Sequence, residues 1–229
     1  MKITNRGLLA GARTAGGLVV IIDVFRAFST CCYLFAGGAE KVIPVGELER
    51  ARRLKEENTG YLLVGERSGR ELPGFNYNNS PSEIVDEDFT DETIIFTTSS
   101  GTQGLMAARN ADELVTGSLV NLDAVVNYIK EQDPDRVSIV PMGKGTKEPA
   151  DEDELCARWM EKKLRGEEPG DTDSAIEELK QGDGKRFFKE ENQDWSPETD
   201  FYLCTDLNRF DFVIKAYPGK EGVLALQRV

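Results

Sequence analysis

Short apolar segments alternate with amphipathic segments along most of this 229-residue chain. The apolar segments have the length of β-strands and cover residues 18–22, 41–45, 61–64, 93–97, 113–116 and 136–142. Helical patterns follow several of them, at residues 26–37, 47–57, 102–109 and 121–132. Because helices of this length connect parallel strands, the alternation predicts an α/β fold with a three-layer arrangement, in which helices cover a mixed, largely parallel sheet.

The pattern changes after residue 143. An acidic loop leads to a helical pattern at 153–164, a polar stretch at 166–173, a second helical pattern at 197–207 and strand patterns at 211–216 and 222–227. Because these patterns resume, we interpret the polar region at about 166–195 as a surface insertion rather than a linker, within one domain over residues 1–229. Upstream, Ser80-Pro81-Ser82-Glu83 has the composition of a helix start.

The chain contains no histidine. Histidine is the side chain that titrates near neutral pH and serves most acid–base catalysts. Its absence excludes Ser-His-Asp hydrolysis, phosphohistidine chemistry and histidine-ligated zinc or iron sites. Catalysis must therefore use carboxylates, hydroxyls, backbone dipoles or an oxygen-ligated metal.

Charge and cysteine content bear on partners and location. Asp and Glu number 41 against 28 Lys and Arg, so the formal charge is −13 and neither nucleic acid nor an anionic membrane is an expected partner. The cysteines Cys31, Cys32, Cys156 and Cys204 lack metal-binding or redox spacing. The sequence shows no signal-peptide core and no apolar run of membrane-spanning length. We expect a reduced, cytoplasmic protein whose size is compatible with a homodimer.

Polar residues follow several predicted strands, at the edge of the sheet where ligands of α/β proteins collect. These residues are Asp23 and Arg26, Glu66 and Arg67, the turn Thr98-Ser99-Ser100-Gly101-Thr102, and Gly117-Ser118. The turn offers hydroxyls, close backbone approach and free amides to a phosphate, although an ordinary strand-to-helix turn has the same composition. Arg26 has the alternative role of pairing with Asp23.

Two common phosphatase mechanisms do not fit. An aspartyl-phosphate enzyme needs a second Asp two residues after the first, where this chain has Phe25. A cysteine phosphatase needs a CX5R loop, which Cys31, Cys32 and Cys156 do not open. An oxygen-ligated Mg2+ that clamps phosphoryl oxygens and orients a water remains. Its candidate carboxylates are Asp23, Glu66 and Asp153, with Asp151 and Glu152 as rivals that an acidic helix N-terminus also explains.

Several short blocks occur in an order and spacing that are jointly specific. They are Asp23-Val24-Phe25-Arg26-Ala27, Gly65-Glu66-Arg67, Gly74-Phe75-Asn76, Asn79-Ser80-Pro81 with Glu83, Ser100-Gly101-Thr102, Gly117-Ser118 with Asn121 and Ala124, Glu152-Asp153 with Cys156-Ala157, and Cys204, Asp206, Phe210-Asp211 and Val213. In these blocks, which extend over nearly the whole chain, the sequence resembles the 2-phosphosulfolactate phosphatases. The resemblance implies Mg2+-dependent hydrolysis of 2-phosphosulfolactate to sulfolactate and phosphate, a phosphomonoester hydrolysis that serves coenzyme M biosynthesis.

The strand-end residues and the resemblance together define a predicted site for a small acidic phosphomonoester. Its catalytic residues are Asp23, Arg26, Glu66 and Asp153, of which the three carboxylates bind Mg2+ or act as the base for the attacking water. Its substrate-binding residues are Arg67, Asn79, Ser80, Ser100, Gly101, Thr102, Ser118 and Asn121. Arg67, Arg70 and Lys144 are candidates for binding the other acidic groups of the substrate, or are surface cations.

The sequence also departs from the family pattern. Phe28 and Ser29 stand where the family usually has two threonines, Ser68 and Asn78 replace glycines, and Ser99-Ser100 replaces Thr-Asn. Substrate preference therefore stays open. The alternatives are a phosphatase for another small phosphorylated acid, and a catalytically silent anion-binding homologue in which Phe28 and the altered turns form the ligand pocket.

Overall fold

The computed structural model describes residues 1–219 and 223–229. Its strands are β1 (Lys2–Asn5), β2 (Gly17–Ile22), β3 (Lys41–Pro44), β4 (Leu62–Arg67), β5 (Arg70–Glu71), β6 (Thr93–Thr97), β7 (Ala111–Gly117), β8 (Arg136–Pro141), β9 (Ile214–Pro218) and β10 (Leu224–Arg228). Its α-helices are α1 (Leu8–Thr14), α2 (Ala27–Ala36), α3 (Leu48–Glu57), α4 (Gly101–Ala107), α5 (Leu122–Gln132), α6 (Asp151–Leu164), α7 (Thr172–Leu179) and α8 (Glu198–Thr205). Short 3-10 turns cover Pro81–Glu83, Leu119–Asn121, Asp183–Phe188 and Glu190–Asn192.

The described strands form one sheet in the order β1-β8-β2-β7-β9-β10-β3-β6-β4-β5. Strands β1, β8, β2 and β7 are parallel to one another, and so are β3, β6 and β4. The antiparallel hairpin β9–β10 lies between these two parallel groups and pairs with β7 on one side and β3 on the other. The prediction of a mixed, largely parallel sheet is confirmed.

The two parallel groups run in opposite directions, because three antiparallel pairings separate β7 from β3. Strand twist of roughly 20–25° per step accumulates to about 100° or more between β2 and β6. Helix α2 packs against both groups, since its fully buried Cys31 and Leu34 share one core cluster with Ile21 of β2 and Phe96 of β6. The segments that follow β2 and β6 meet at the N-terminal end of α2, where a Cβ on Gly101 would lie 2.8 Å from the Cβ of Ala27, despite the opposite directions of these strands.

Helices cover both faces of the sheet. The side chains of β2 alternate: Val19 and Ile21 pack in the cluster around α2, whereas Val20 and Ile22 pack in the cluster that contains α5 and α6. Helices α1 and α4 contribute to the first cluster, and α3 covers β4 and β6 in a smaller third cluster. The α/β fold in three layers is therefore as predicted.

The predicted strands and helices are present within a few residues of their expected ends, and only position 222 of the last predicted strand lies outside the described residues. Elements β1, β5, α1 and α7 were not predicted, because segments this short have little periodicity. The predicted helix start at Ser80 is a single 3-10 turn, Pro81–Glu83, without a side-chain cap. The Ser80 hydroxyl donates a hydrogen bond to the carboxylate of Asp200 in α8, 2.7 Å away. It therefore does not cap a backbone N–H of the turn.

The region at about 166–195, predicted as a surface insertion, contains α7 and two of the 3-10 turns. Its Phe187 is fully buried in the cluster with α6 and α8. The division of the chain into domains and insertion stays a prediction.

Within residues 1–219 and 223–229, no helix combines the length and the apolar character that crossing a membrane requires.

Candidate active site

A pocket of about 310 Å³ lies where β2, β4, β6 and β8 end and α6 begins. This volume is near the lower end for small-molecule sites. The lining residues are Asp23, Phe25, Arg26, Glu66, Ser68, Gly69, Asn79, Ser99, Ser100, Gly143, Lys144, Gly145, Glu152, Asp153 and Arg186. Four carboxylates and three cations thus line one pocket of a size that fits a small, multiply charged ligand.

Asp23 comes directly after β2 and caps the N-terminus of α2. Its Oδ1 accepts the N–H of Ala27 at 3.1 Å, which satisfies one of the free donors at a helix start. Burial raises the pKa of Asp23 to about 6, and the negative charge of Glu66 adds to the rise, while backbone N–H groups of Ala27 and Gly101 oppose it. This carboxyl therefore titrates close to neutral pH.

Gly101 permits the close approach between α4 and Asp23. A Cβ at position 101 would lie 2.8 Å from the Cβ of Ala27 and 3.0 Å from Oδ2 of Asp23, closer than van der Waals contact allows. Packing at position 101 therefore requires glycine. The backbone N–H of Gly101 is directed at the carboxylate of Asp23.

Glu66, at the end of β4, connects two turns of the pocket wall. Its Oε1 accepts the Ser99 N–H at 2.6 Å, and its Oε2 accepts the Gly69 N–H at 2.6 Å and the Ser99 hydroxyl at 3.0 Å. Hydrogen bonds from backbone N–H groups to a carboxylate are charge-assisted and strong. Glu66 therefore fixes the turn after β6 against the turn after β4.

Asp153, in the first turn of α6, has a similar role on the opposite wall. Its Oδ1 accepts the Val24 N–H at 2.7 Å, and its Oδ2 accepts the Gly143 N–H at 2.9 Å. Burial, together with the charges of Glu152 and Asp23, raises the pKa of Asp153 well above its usual range. Asp153 thus holds the segments after β2 and β8 to the start of α6.

Glu152 differs from its neighbour because one of its oxygens is free. Its Oε2 is buried without a hydrogen-bond partner among the described residues. Burial raises the pKa of Glu152 to about 8, although the positive charge of Arg186 opposes the shift. A buried, unsatisfied carboxyl oxygen is costly, so Glu152 has capacity for a proton, a cation or a ligand donor.

Arg26 is held by a buried carboxylate. Its Nη1 donates to Oδ2 of Asp200 at 2.5 Å and its Nη2 donates to the carbonyl of Gly69 at 3.1 Å. Asp200 also accepts the hydroxyl of Ser80 at 2.7 Å and the N–H of Ser82 at 2.8 Å. The alternative that Arg26 pairs with Asp23 is not what the structure has, because Asp200 is its partner.

Six of the predicted site residues line the pocket: Asp23, Arg26, Glu66, Asn79, Ser100 and Asp153. The other six lie outside the lining and form hydrogen bonds or close packing within the protein: Arg67, Ser80, Gly101, Thr102, Ser118 and Asn121. Their role in substrate binding stays a prediction, and the contacts described support a role in positioning the wall.

Three cationic residues were candidates for binding the other acidic groups of the substrate, and they have different surroundings in the structure. Arg67 donates to the carbonyls of Glu66 and Gly46 and to the Thr97 hydroxyl. Arg70 lies over the ring of Trp195. Lys144 lines the pocket and pairs with Asp183.

The departure at Phe28 lies in the core, since this ring is fully buried and is not among the lining residues. Ser68 and Ser99, by contrast, face the pocket.

Sequence reasoning did not find Arg186 or Asp200. Arg186 comes from the polar region at about 166–195 and Asp200 from the predicted helix at 197–207, and no motif marks either residue. Glu152 was considered only as a rival, because an acidic helix start accounts for its composition equally well. The local sequence gives no reason to assign different roles to Glu152 and Asp153. Their hydrogen bonds do, because both oxygens of Asp153 accept backbone N–H groups, whereas Oε2 of Glu152 has no partner among the described residues.

Mg2+ usually binds through one or two carboxylates, with waters and phosphate oxygens completing its shell. Within the described residues, no three Asp, Glu or Cys side chains are grouped so as to hold a metal. Both oxygens of Glu66 and of Asp153 already accept backbone N–H groups. Glu152, with one oxygen free of hydrogen bonds, therefore has more capacity for a cation than Glu66 or Asp153, and the predicted set of Asp23, Glu66 and Asp153 stays a prediction.

A family comparison bears on this carboxylate pocket. Residues 6–217 match the family model described as 2-phosphosulpholactate phosphatase. The match covers every lining residue of the pocket and leaves out β1 and β10 among the described strands. The chain belongs to this family. Membership confirms the resemblance that the loop sequences indicated.

Curated relatives of the 2-phosphosulfolactate phosphatase family agree in name. A Bacillus subtilis protein called "Probable 2-phosphosulfolactate phosphatase" is 29% identical over 215 residues, which are 92% of this chain and 91% of the relative. Proteins with the same name from Thermotoga maritima and Caldanaerobacter subterraneus are 38% and 41% identical, over 69% and 53% of this chain and 67% and 51% of each relative. In the Caldanaerobacter comparison the match spans about half the length of the relative.

Proposed function

We propose that this chain is a phosphatase that hydrolyses 2-phosphosulfolactate to sulfolactate and inorganic phosphate with the help of Mg2+. Family membership and the names of the relatives support the reaction and the substrate. The observation that carries the proposal is the pocket in which Asp23, Arg26, Glu152 and Arg186 lie together. Such a set can bind a phosphomonoester, assist a water and stabilise charge without histidine.

The charge balance of the pocket favours a divalent cation. Four carboxylates and three cationic side chains line the pocket. A bound phosphomonoester would add further negative charge to this set. Burial is the main cause of the raised pKa of Asp23, Glu152 and Asp153, and the negative charges of neighbouring carboxylates add to it. A bound cation or protons would relieve this imbalance.

Asp23 and Glu152 are the residues that would hold Mg2+. When bound, the ion would polarise phosphoryl oxygens and orient a water. Arg26, fixed by Asp200, contributes positive charge for the phosphoryl group. Glu66 and Asp153 keep the turns of the pocket wall in register, so that the phosphate meets preorganised groups rather than mobile ones.

The decisive experiment measures phosphate release from racemic phosphosulfolactate, with Mg2+ and with a chelator. Mg2+-dependent release is the expected result. Asp23→Asn should lower kcat/KM by about 100-fold or more, because it removes a carboxylate of the pocket. Asp86→Asn, an exposed position, is the matched control and should retain activity.

Other outcomes would favour the alternatives. Release from another phosphorylated acid but not from phosphosulfolactate would change the substrate. Thermal stabilisation by sulfolactate without any release would favour a catalytically silent binding protein. The intact carboxylates of the pocket make the enzyme the better supported proposal. A part in coenzyme M biosynthesis, a cytoplasmic location, a homodimer and the absence of nucleic-acid partners stay predictions.

A further inference from the structure

Arg186 enters the pocket from a distant part of the chain. It belongs to the 3-10 turn Asp183–Phe188, in the polar region that sequence patterns assigned to the surface. This turn is anchored by Phe187, which is fully buried and packs edge-on against the ring of Phe25 at a centroid distance of 5.0 Å. The anchoring ring fixes the position of the neighbouring guanidinium.

The three cations of the pocket differ in their partners. Arg26 is bound to Asp200, and Lys144 is bound to Asp183. Arg186 has no ion-pair partner among the described residues. Its Nη2 donates to the carbonyl of Phe25 at 3.0 Å, and its buried Nε has no acceptor within the part of the chain that the structure describes.

Arg186 as a whole is half-buried, but its Nε is a buried donor without an acceptor, which is unfavourable in the absence of ligand. Burial lowers the pKa of Arg186; the charge of Glu152 opposes this shift, and the charge of Arg26 adds to it. A guanidinium has donors in a fixed fork that matches anionic oxygen groups. The free donors of Arg186 are therefore suited to an acidic group supplied by a ligand.

Arg26 and Arg186 are close enough for their charges to affect each other, but they donate to the backbone of different segments of the pocket wall. Arg26 contacts Gly69, whose N–H is bound to Glu66 and so to the Ser99 turn. That turn is the segment predicted to bind phosphate. Arg186 instead contacts the segment after β2 and is close enough to Glu152 for the two charges to affect each other.

We propose that Arg186 binds the second acidic group of the substrate, a sulfonate or carboxylate, and thereby determines specificity for phosphomonoesters that carry such a group. This inference rests on the proposed phosphatase function and deepens it. Arg26 and the Ser99 turn bind the phosphoryl group, while Arg186 recognises the non-reacting end of the molecule.

Three substrates test this assignment with Arg186→Gln: phosphosulfolactate, phospholactate, which lacks the sulfonate, and the phosphate ester of 2-hydroxyethanesulfonate, which lacks the carboxylate. For phosphosulfolactate, kcat/KM should fall on the order of 100-fold. The substrate that lacks the group bound by Arg186 should lose less than about threefold, because its contact is already missing. That substrate identifies the group.

Lys185→Gln makes the same change of charge at an exposed neighbouring position and should leave all three values unchanged. Arg186→Lys retains the charge but not the fork, so it should recover part of the loss. If Arg186→Gln does not fold, Arg186→Lys provides the test, with a KM increase on the order of tenfold that is confined to substrates with the second group. Equal losses for all three substrates, or no loss, would overturn the assignment.

A binding measurement separates this inference from the proposed reaction. Sulfolactate should stabilise the wild-type protein against heat and should stabilise Arg186→Gln much less, while inorganic phosphate should stabilise both equally. If the wild type releases no phosphate but this difference is present, the proposed reaction fails and the role of Arg186 stands. Equal stabilisation of both proteins by sulfolactate would refute the role of Arg186 even in an active enzyme.

Discussion

Asp200 shows how a single buried carboxylate can organise a binding site without lining it. It accepts hydrogen bonds from the side chains of Arg26 and Ser80 and from the backbone of Ser82. These residues come from two loops that are far apart in the sequence. The position of the Arg26 guanidinium therefore depends on α8.

Asp200→Asn keeps the size of the side chain but leaves the buried charge of Arg26 without its counter-ion. We expect the free energy of unfolding to fall by about 3–5 kcal/mol, as measured by urea denaturation, together with a loss of phosphatase activity. Asp194→Asn, on the exposed surface of the same region, should change neither. Unchanged stability in Asp200→Asn would mean that the ion pair with Arg26 does not contribute as described.

Among elements, the turn from β6 into α4 has a tight steric requirement beside the pocket. Gly101→Ala introduces a Cβ that meets both Ala27 of α2 and the carboxylate of Asp23. We expect a loss of about 1–3 kcal/mol in the free energy of unfolding, measured by urea denaturation, and reduced activity because Asp23 is displaced.

Gly60→Ala is the matched control, since no atom lies within 4 Å of a Cβ at that position. It should be neutral or slightly stabilising. If both alanine variants behave alike, the close packing of α4 against Asp23 is not a constraint.

Elements that are continuous apolar runs, such as β2 and β6, could be predicted from sequence because their burial on both faces leaves a local signature. Short elements could not be predicted in this way. The predicted helix start at Ser80 is only a 3-10 turn, because the Ser80 hydroxyl donates to Asp200 and does not cap a helix. In the pocket, Asp23 and Glu66 were found because they follow strands, whereas Arg186 and Asp200 depend on tertiary contacts that no local pattern records. The metal ligands stay a prediction.

For the whole molecule, the buried carboxyls make stability depend on pH. The ordinary pKa of Glu152 is 4.5 and burial raises it to about 8, while that of Asp23 rises from 3.8 to about 6. Between these values the folded chain binds more protons than the unfolded chain. The free energy of unfolding therefore falls as pH increases through this range.

We expect the melting temperature of chelator-treated protein to fall as pH rises from about 6 to about 8, the upper part of the Glu152 range. Glu152→Gln should flatten this decline, because the side chain no longer has a proton to lose. Glu191→Gln removes the same charge at an exposed position and controls for repulsion within a chain of formal charge −13. A decline of equal slope in all three proteins would show that Glu152 is not its source.

The hairpin β9–β10 occupies the middle of the sheet, yet its residues are synthesised after those of every other described strand. While the chain emerges from the ribosome, β7 and β3 consequently have exposed edges with unpaired backbone groups, which are templates for association with other chains. The two parallel groups of strands are synthesised before β9 and β10. The sheet is complete only when this hairpin has been inserted between β7 and β3. Those two edges stay open to other chains until β9 and β10 have left the ribosome and paired with them.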